Sequence, residues 1–573
     1  MEKAEDSRKP STTSSTKDNG EAVADPGPPD GGQYVSGFKL GMLVMGIVLA
    51  CFLMLLDTSV VSTAIPKITD EFHSLSDVGW YGSAYSLGSA ALQPLTGRIY
   101  HAFPLKISWL CFFVIFELGS VLCGAAQSST MFIVGRAIAG IGASGLLSGA
   151  INIISSSVPL ERRPSLIGMM MGIANLGTVL GPVIGGAFTT GYTWRWSFYI
   201  NLPLGAIVAV PLLITKVPEQ FHKEPVSKVL PRIHHVLDLV GFALFAPSVI
   251  MLLLALQYGA GGEHSWHSAT VIGLFCGAGA SFIVFLAWDL YKKDEALIPF
   301  SLVRRRTVWA SALNYSFMMA TMFGVSYFLP IYFQAVRNMS AIISGVNLLP
   351  TILPQLVFAI GSGVAVTKIG FIPPFSLFSG MLISIATGLF STLRVDTSLG
   401  KRVGFQIIMG VGLGSGLQMP IVAVQNSMQQ KEMATAMAFL VWSQYMGPTV
   451  FLTLYNVIFD TSLKYALAQD APNVNAAAVV AAGATGFREV VDPGDLPGVL
   501  LAYASSIDKV FYLATSAGAV AFIGASLMGW NDIRKKPVAS AATVAAPSNP
   551  GELEPGTENA TASIDTQKTS HVV

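Results

Sequence analysis

Apolar residues in this chain fall into long unbroken runs, with neither the short alternation of strands nor the one-sided stripe of a helix lying on a water-soluble core. Windows of roughly 20 apolar residues, enough to cross a bilayer as a helix, occur near 41–65, 79–98, 107–126, 131–154, 166–189 and 199–215. Two more lie near 238–257 and 269–289, and six near 308–330, 342–366, 372–392, 403–425, 434–458 and 507–530. The pattern predicts an all-α integral membrane protein with fourteen transmembrane helices. It divides the chain into an N-terminal six-helix bundle (38–215), a basic linker with two extra membrane helices (216–300) and a C-terminal six-helix bundle (301–530). The flanking segments 1–37 and 531–573 are polar, have little to bury, and are predicted to be disordered. The first apolar run starts near Phe38 and is full length, so it reads as a retained membrane helix and not as a cleaved leader. An outer loop, 460–506, contains an alanine-rich stretch, Asn475 to Thr485, that predicts a short surface helix before the Pro493-Gly494 turn.

Composition agrees, since 52% hydrophobic and only 12% charged residues exceed what a water-soluble domain can hide. A net charge of +1 offers no attraction for nucleic acid. Cys51, Cys111, Cys123 and Cys276 all sit in apolar runs, where thiols act as small hydrophobes, so neither a disulfide framework nor a metal site is expected. Lysine and arginine concentrate on one side, notably at Lys216, Lys223, Lys228, Arg232, Lys292, Lys293 and Arg304 to Arg306. The other side keeps Lys67, Arg195, Arg337, Arg394, Lys401, Arg402, Lys464, Arg488 and Lys509. Because basic loops stay inside, both termini are expected in the cytoplasm. His222, His234 and His235 lie in or beside the basic linker without metal-ligand spacing, and read as part of a solvated segment.

The fifth run reads Gly168-Met-Met-Met-Gly172-Ile-Ala-Asn-Leu-Gly177-Thr-Val-Leu-Gly181-Pro182-Val-Ile-Gly185-Gly186. Glycines at near-four spacing leave a bare groove on a helix where another backbone can approach, and Pro182 removes one backbone hydrogen bond. The first run carries Leu56-Asp57-Thr58-Ser59 with Ala64-Ile65-Pro66, and the fourth carries Gly135-Arg136 with Gly140 and Gly142. After the fifth comes Trp194-Arg195-Trp196-Ser197-Phe198-Tyr199-Ile200-Asn201-Leu202-Pro203. Together these resemble the 14-spanner drug:proton antiporter family of the major facilitator superfamily, in a form similar to fungal toxin and multidrug efflux pumps. The resemblance covers about Phe38 to Trp530. It implies two six-helix bundles facing each other across a central cavity, with substrate leaving as protons enter.

One loop departs from that pattern. The superfamily usually has Gly-x-x-x-Asp-x-x-Gly-Arg-Lys between helices two and three, whereas here Gly97-Arg98-Ile99-Tyr100-His101 leads to Lys106. His101 replaces the aspartate, so the charge-relay role does not transfer; Gly97, Arg98 and Lys106 are expected to form a tight basic turn acting as a weakened latch.

Ionisable groups inside a bilayer are costly enough to be functional candidates by default. Asp57, Glu117 and Arg136 qualify as proton-coupling candidates. At 1.5 Å rise per residue, Asp57 lies on the order of 13 Å below Pro66 and Arg136 roughly 8 Å below the start of its helix, about one turn apart in depth. An ion pair between them reads equally well as a proton site or as structural bonding. Glu117 reads as a second proton site or as a polar link between helices. The second half lacks a central acid and carries amides and aromatics instead, of which Asn314, Tyr327, Gln355, Gln418, Trp442 and Gln444 are expected to line a cavity for neutral, largely apolar molecules.

No nucleophile–base pair, metal cluster or phosphate loop appears, so the chain does not read as an enzyme or as a nucleotide-driven pump. The expected function is proton-coupled efflux of a hydrophobic toxin, secondary metabolite or drug. Siderophore or nutrient uptake and a non-transporting receptor or scaffold are the alternatives. No cofactor is expected beyond the proton gradient, and the protein is expected to be monomeric with the bilayer and a small molecule as its partners. The plasma membrane is the expected location, with a vacuolar or vesicle membrane as the other choice. Asn338-Met339-Ser340 forms a glycosylation sequon close to the bilayer, where poor occupancy is expected.

Overall fold

A peptide group in hydrocarbon has no water to bond, so a chain this apolar satisfies its backbone inside helices. Among the described residues, the only β pairing is an isolated bridge between Phe371 and Asp532. The computed structural model describes residues 34–74, 77–219, 223–260, 264–530 and 532–534. Most of the two predicted disordered tails, and His222, therefore lie outside the described residues.

The main helices are α1 (Gly37–Phe72), α2 (Val78–Ala102), α3 (Leu105–Gly124), α4 (Ser129–Ser157), α5 (Arg163–Gly191) and α6 (Asn201–Ile214, preceded by the turn Trp196–Tyr199). Then come α7 (Leu239–Ala260), α8 (Ala269–Lys292), α9 (Arg306–Ile331), α10 (Leu349–Ile369) and α11 (Pro373–Phe390). The last are α12 (Leu399–Gly416, continued by Met419–Ser427), α13 (Gln430–Asp470) and α14 (Leu496–Leu527). Each predicted apolar window falls on one of them. Twelve helical stretches among the described residues are long and apolar enough to cross a membrane, and α2 and α13 are not among these. Both pack within the bundle. α2 lies against α4, α7 and α13 with Gln93 and Thr96 buried, and α13 lies against α2, α9 and α14. The charged residues of α13 are confined to its ends, Lys431 and Glu432 at the start and Asp460, Lys464 and Asp470 at the finish.

The order of neighbours repeats. In the first group α1 packs on α5 and α6, α2 on α4, and α3 on α4; in the second, α9 packs on α13 and α14, α10 on α12, and α11 on α12. The groups meet reciprocally, α5 on α10 and α2 on α13, while α7 and α8 pair with each other and α7 touches α2 and α13. At the end predicted to face the cytoplasm the groups are in contact. Gln425 Nε2 donates to Ser155 Oγ at 2.7 Å, and a Cβ at Gly97 would lie 2.9 Å from the Thr435 Cα and 2.7 Å from the Ala438 Cβ.

Most of the segment 460–506 is helical. α13 continues to Asp470, a helix runs over Ala476–Val490, and α14 begins at Leu496. Lys464 pairs with Asp460 one turn away at 2.6 Å, a local stabilisation that hydropathy windows do not register. Asn475 caps the middle helix by accepting from the Ala477 and Ala478 amides at 3.0 and 3.2 Å, satisfying donors that a helix start leaves open. Gly483, with φ +72°, kinks that helix. Arg488 donates to the Ala335 carbonyl at 2.9 Å and Phe487 stacks on Tyr503 at 4.8 Å, so the segment is pinned to the second group. Accessibility reporters near Lys17 and Lys536 are expected to read cytoplasmic and one near Asn475 external. A cytoplasmic reading at Asn475 overturns the fourteen-span order.

Candidate functional site

The first group is held tightly enough to bury a charge pair because α4 is lined with glycine. A Cβ at Gly140 would lie 2.9 Å from the Tyr85 Cα, and one at Gly142 would lie 2.6 Å from the Phe116 Cα, so α2 and α3 press directly on the α4 backbone. Arg136, one turn before Gly140 on α4, donates from Nη1 to Asp57 Oδ2 at 2.5 Å, and both side chains are at most 1% exposed. Its Nε donates to the Tyr81 carbonyl at 3.0 Å, and its guanidinium lies over the Tyr85 ring at 4.6 Å. Asn201 Nδ2 donates to Asp57 Oδ1 at 3.2 Å and to Ser120 Oγ at 3.0 Å. Each oxygen of Asp57 therefore has its own donor, from α4 and from α6.

Asn201 and Ser120 carry no role in the sequence reading. The available signal was the quoted run from Trp194 to Pro203, whose last polar residue is Asn201. The rest of that run is structural. Arg195 bonds Glu71 at 2.8 Å and the Ala126 carbonyl at 2.8 Å while stacking on Trp194 at 4.4 Å. Trp194 Nε1 also donates to Glu71, at 2.8 Å. This cluster fixes where α6 starts, and so where Asn201 meets Asp57.

From the pair one aromatic contact leads toward the second half. Tyr85 lies on α2, which packs against α13 of the second group. Arg136 and Tyr85 thus tie the core of the first group to the helix that meets the second.

Glu117 does not join this site. Neither carboxyl oxygen has a hydrogen-bond partner, so the polar link between helices is not formed. The residue instead lines a groove between α3 and α6.

The glycines of α5 divide between two neighbours. A Cβ at Gly168 would lie 3.2 Å from the Ala359 carbonyl carbon, and one at Gly172 would lie 2.6 Å from Leu356 Cδ1, both on α10 of the other group. Gly177, Gly181 and Gly185 face α1: the corresponding distances are 2.8 Å to the Leu56 nitrogen, 2.9 Å to Ser59 Cβ and 2.7 Å to Val60 Cγ2. At about 100° per residue the five-residue step from Gly172 to Gly177 turns the stripe by about 140°, which is what moves it from one partner to the other. A methyl at Gly186 would meet nothing within 4 Å, and α5 continues unbroken through Pro182.

The loop between α2 and α3 is tight, Phe103 and Pro104 alone, but its basic residues do not act as one unit. Lys106 Nζ donates to the Leu213 and Thr215 carbonyls at 2.8 and 3.1 Å and so caps α6. Arg98 Nη2 donates to the Asp294 carbonyl at 3.2 Å, and the carboxylates of Asp238, Asp289, Glu295 and Asp294 lie close enough to act on it. Acids from the α7–α8 pair thus stand around Arg98, where the usual loop supplies one from within. The His101 imidazole donates from Nδ1 to the Lys431 carbonyl at 2.8 Å.

Of the six residues expected to line a cavity, two spend their amides on neighbouring helices. Asn314 donates to the Ala521 carbonyl at 2.7 Å, and Gln418 to the Ala359 carbonyl and Ser362 Oγ at 2.8 and 2.7 Å, so both serve helix packing. Tyr327 is 53% exposed on α9. Trp442 packs between Phe245 and Phe439 at the seam of α7 and α13. Gln355 and Gln444 keep a buried polar atom without a partner, Nε2 and Oε1 respectively.

Asn338 has φ +55°, a left-handed conformation that asparagine tolerates, and Ser340 Oγ is occupied in capping the next helix, Ala341–Val346. We expect no glycosidase-sensitive mass shift; a shift that disappears in Asn338→Gln shows the sequon to be used.

The sequence model of the Major Facilitator Superfamily matches residues 47–452. The chain is 52% identical over 523 residues to the MFS-type transporter pigP of Monascus ruber, covering 91% of this chain and 92% of that one. It is 47% identical to the efflux pump mlcE of Penicillium citrinum, covering 88% and 92%. Among solved structures, the human organic anion transporter MFSD10 (TETRAN) aligns with a TM-score of 0.54 at 13% identity, covering 84% of this chain and all of that one. A family match over most of the chain, close relatives along nearly its whole length and the shared helical architecture establish that this multi-pass membrane protein belongs to the major facilitator superfamily of transporters.

Proposed function

We propose that the protein exports a hydrophobic small organic molecule, such as a toxin, secondary metabolite or drug, across the plasma membrane in exchange for protons. The observation that carries this reading is the buried Asp57, held by Arg136 on one oxygen and Asn201 on the other. A proton taken by the carboxylate cancels its attraction for Arg136. The guanidinium then keeps the Tyr81 carbonyl and the Tyr85 ring. A shift of Arg136 disturbs the Tyr85 ring beneath it on α2, the helix that packs on α13 of the second group. Proton occupancy and the relative position of the two groups are thereby linked, as exchange of a proton for a substrate requires. Closure at the predicted cytoplasmic end fits a state that has released substrate outward and awaits a proton. Several relatives named as efflux pumps support the outward direction.

The test uses inside-out membrane vesicles and a panel of hydrophobic fluorescent compounds. Accumulation under an acid interior, abolished by a protonophore, supports export. Movement in the opposite direction indicates uptake, and no flux with any compound indicates a receptor.

A further inference from the structure

Outside the central site, Glu117 is the membrane-embedded acid with no assigned work. It sits in a groove of about 380 Å³ lined by Leu110, Phe113, Val114, Leu202, Gly205, Ala206, Ala209 and Leu213. The rim faces the bilayer: Val114 is 54% exposed and Leu213 61%. Every other lining residue is apolar, and the two carboxyl oxygens of Glu117 are buried without a hydrogen bond. Gly205 creates the space, since a Cβ there would lie 2.8 Å from the Glu117 carboxyl carbon. A buried polar group with no partner is costly, and a carboxyl beside an open apolar channel is completed by a ligand that brings a positive donor and a hydrocarbon chain.

We infer that the α3–α6 groove is a bilayer-facing binding site for a single-chain lipophilic amine. The ammonium takes the Glu117 carboxylate, and the chain lies along Phe113 and Leu110 toward Leu213. Binding turns the carboxyl from Gly205 toward the groove. From Gly205 to Leu213 the groove runs about 12 Å along α6, room for a medium-length alkyl chain. The position of the acid excludes a phospholipid headgroup. Glu117 is twelve residues from the start of α3 and seven from its end, about 18 Å and about 10 Å along the helix, so a headgroup on Glu117 would carry its phosphate into hydrocarbon. Charge complementarity therefore selects an amine without a phosphate. The site shares no hydrogen bond with the Asp57 pair and requires no assumption about the direction or energy source of transport.

The test uses the full-length protein in phosphatidylcholine nanodiscs, labelled with dicyclohexylcarbodiimide and read by peptide mass spectrometry. Glu117 is expected to carry an adduct that decylamine suppresses at a concentration about tenfold below that needed by decanol, a preference of about 1.4 kcal/mol. Glu117→Gln should lose both adduct and amine binding while remaining monodisperse. Ala209→Phe, which fills the groove and leaves the acid in place, should lose the protection. Absence of an adduct in the unliganded protein, protection by decanol equal to that by decylamine, or undiminished protection in Ala209→Phe overturns the assignment. Export by Glu117→Gln is measured in parallel, so failure of the groove and failure of the export reading are told apart.

Discussion

Asp57→Asn is expected to insert normally and to lose gradient-driven export to background. The amide keeps the shape of the carboxyl and its contact with Asn201, but it neither binds nor releases a proton, so the side chain is fixed in one state. Arg136 then experiences the same partner whichever side of the protein is open, and the event that disturbs the Tyr85 ring no longer occurs. Binding of the exported compound, measured on the purified variant, should change little because the pair is fully buried. Export by a correctly inserted Asp57→Asn protein at the wild-type rate removes Asp57 from the coupling role.

Arg136→Ala has the second large effect, this time on stability. Removing one member of a buried ion pair leaves an uncompensated charge, which costs about 3–5 kcal/mol. Arg136 also supplies the bond to the Tyr81 carbonyl and the contact with the Tyr85 ring, so α2 loosens from α4 as well. A clear fall in the thermal unfolding midpoint of the detergent-solubilised protein is expected. The double variant Asp57→Asn/Arg136→Ala should recover part of the loss, because no charge is then left alone. Equal midpoints for wild type and Arg136→Ala would show that the pair contributes nothing to holding α1, α2 and α4 together.

The positions of the helices were legible from hydropathy because a bilayer admits few alternatives to long apolar helices. The ends of helices were less so. α13 outruns its apolar window by continuing through Asp460 and Lys464, whose stabilisation is a local ion pair. Asp57 and Arg136 stood out because charges in a span are rare, and depth alone brought them within a turn of each other. Asn201 did not, since an asparagine near a helix start reads as a cap until the fold brings α6 beside α1. Aromatic and amide residues misled for a related reason: their chemistry does not reveal which face they occupy. Asn314 and Gln418 use their amides on backbone carbonyls of neighbouring helices. The glycine stripe of α5 was readable as a site of close approach, and its division between α1 and α10 rests on the single five-residue step.

The most direct test of proton-coupled export is the number of protons that move with the substrate. Protein reconstituted into liposomes with a trapped pH dye is given a transported compound on one side, with no other ion gradient imposed. Wild type should move protons opposite to the compound, with the pH signal starting and stopping with substrate flux, and Asp57→Asn should give neither. Substrate flux without any pH change, or an unchanged pH signal in Asp57→Asn, contradicts the account.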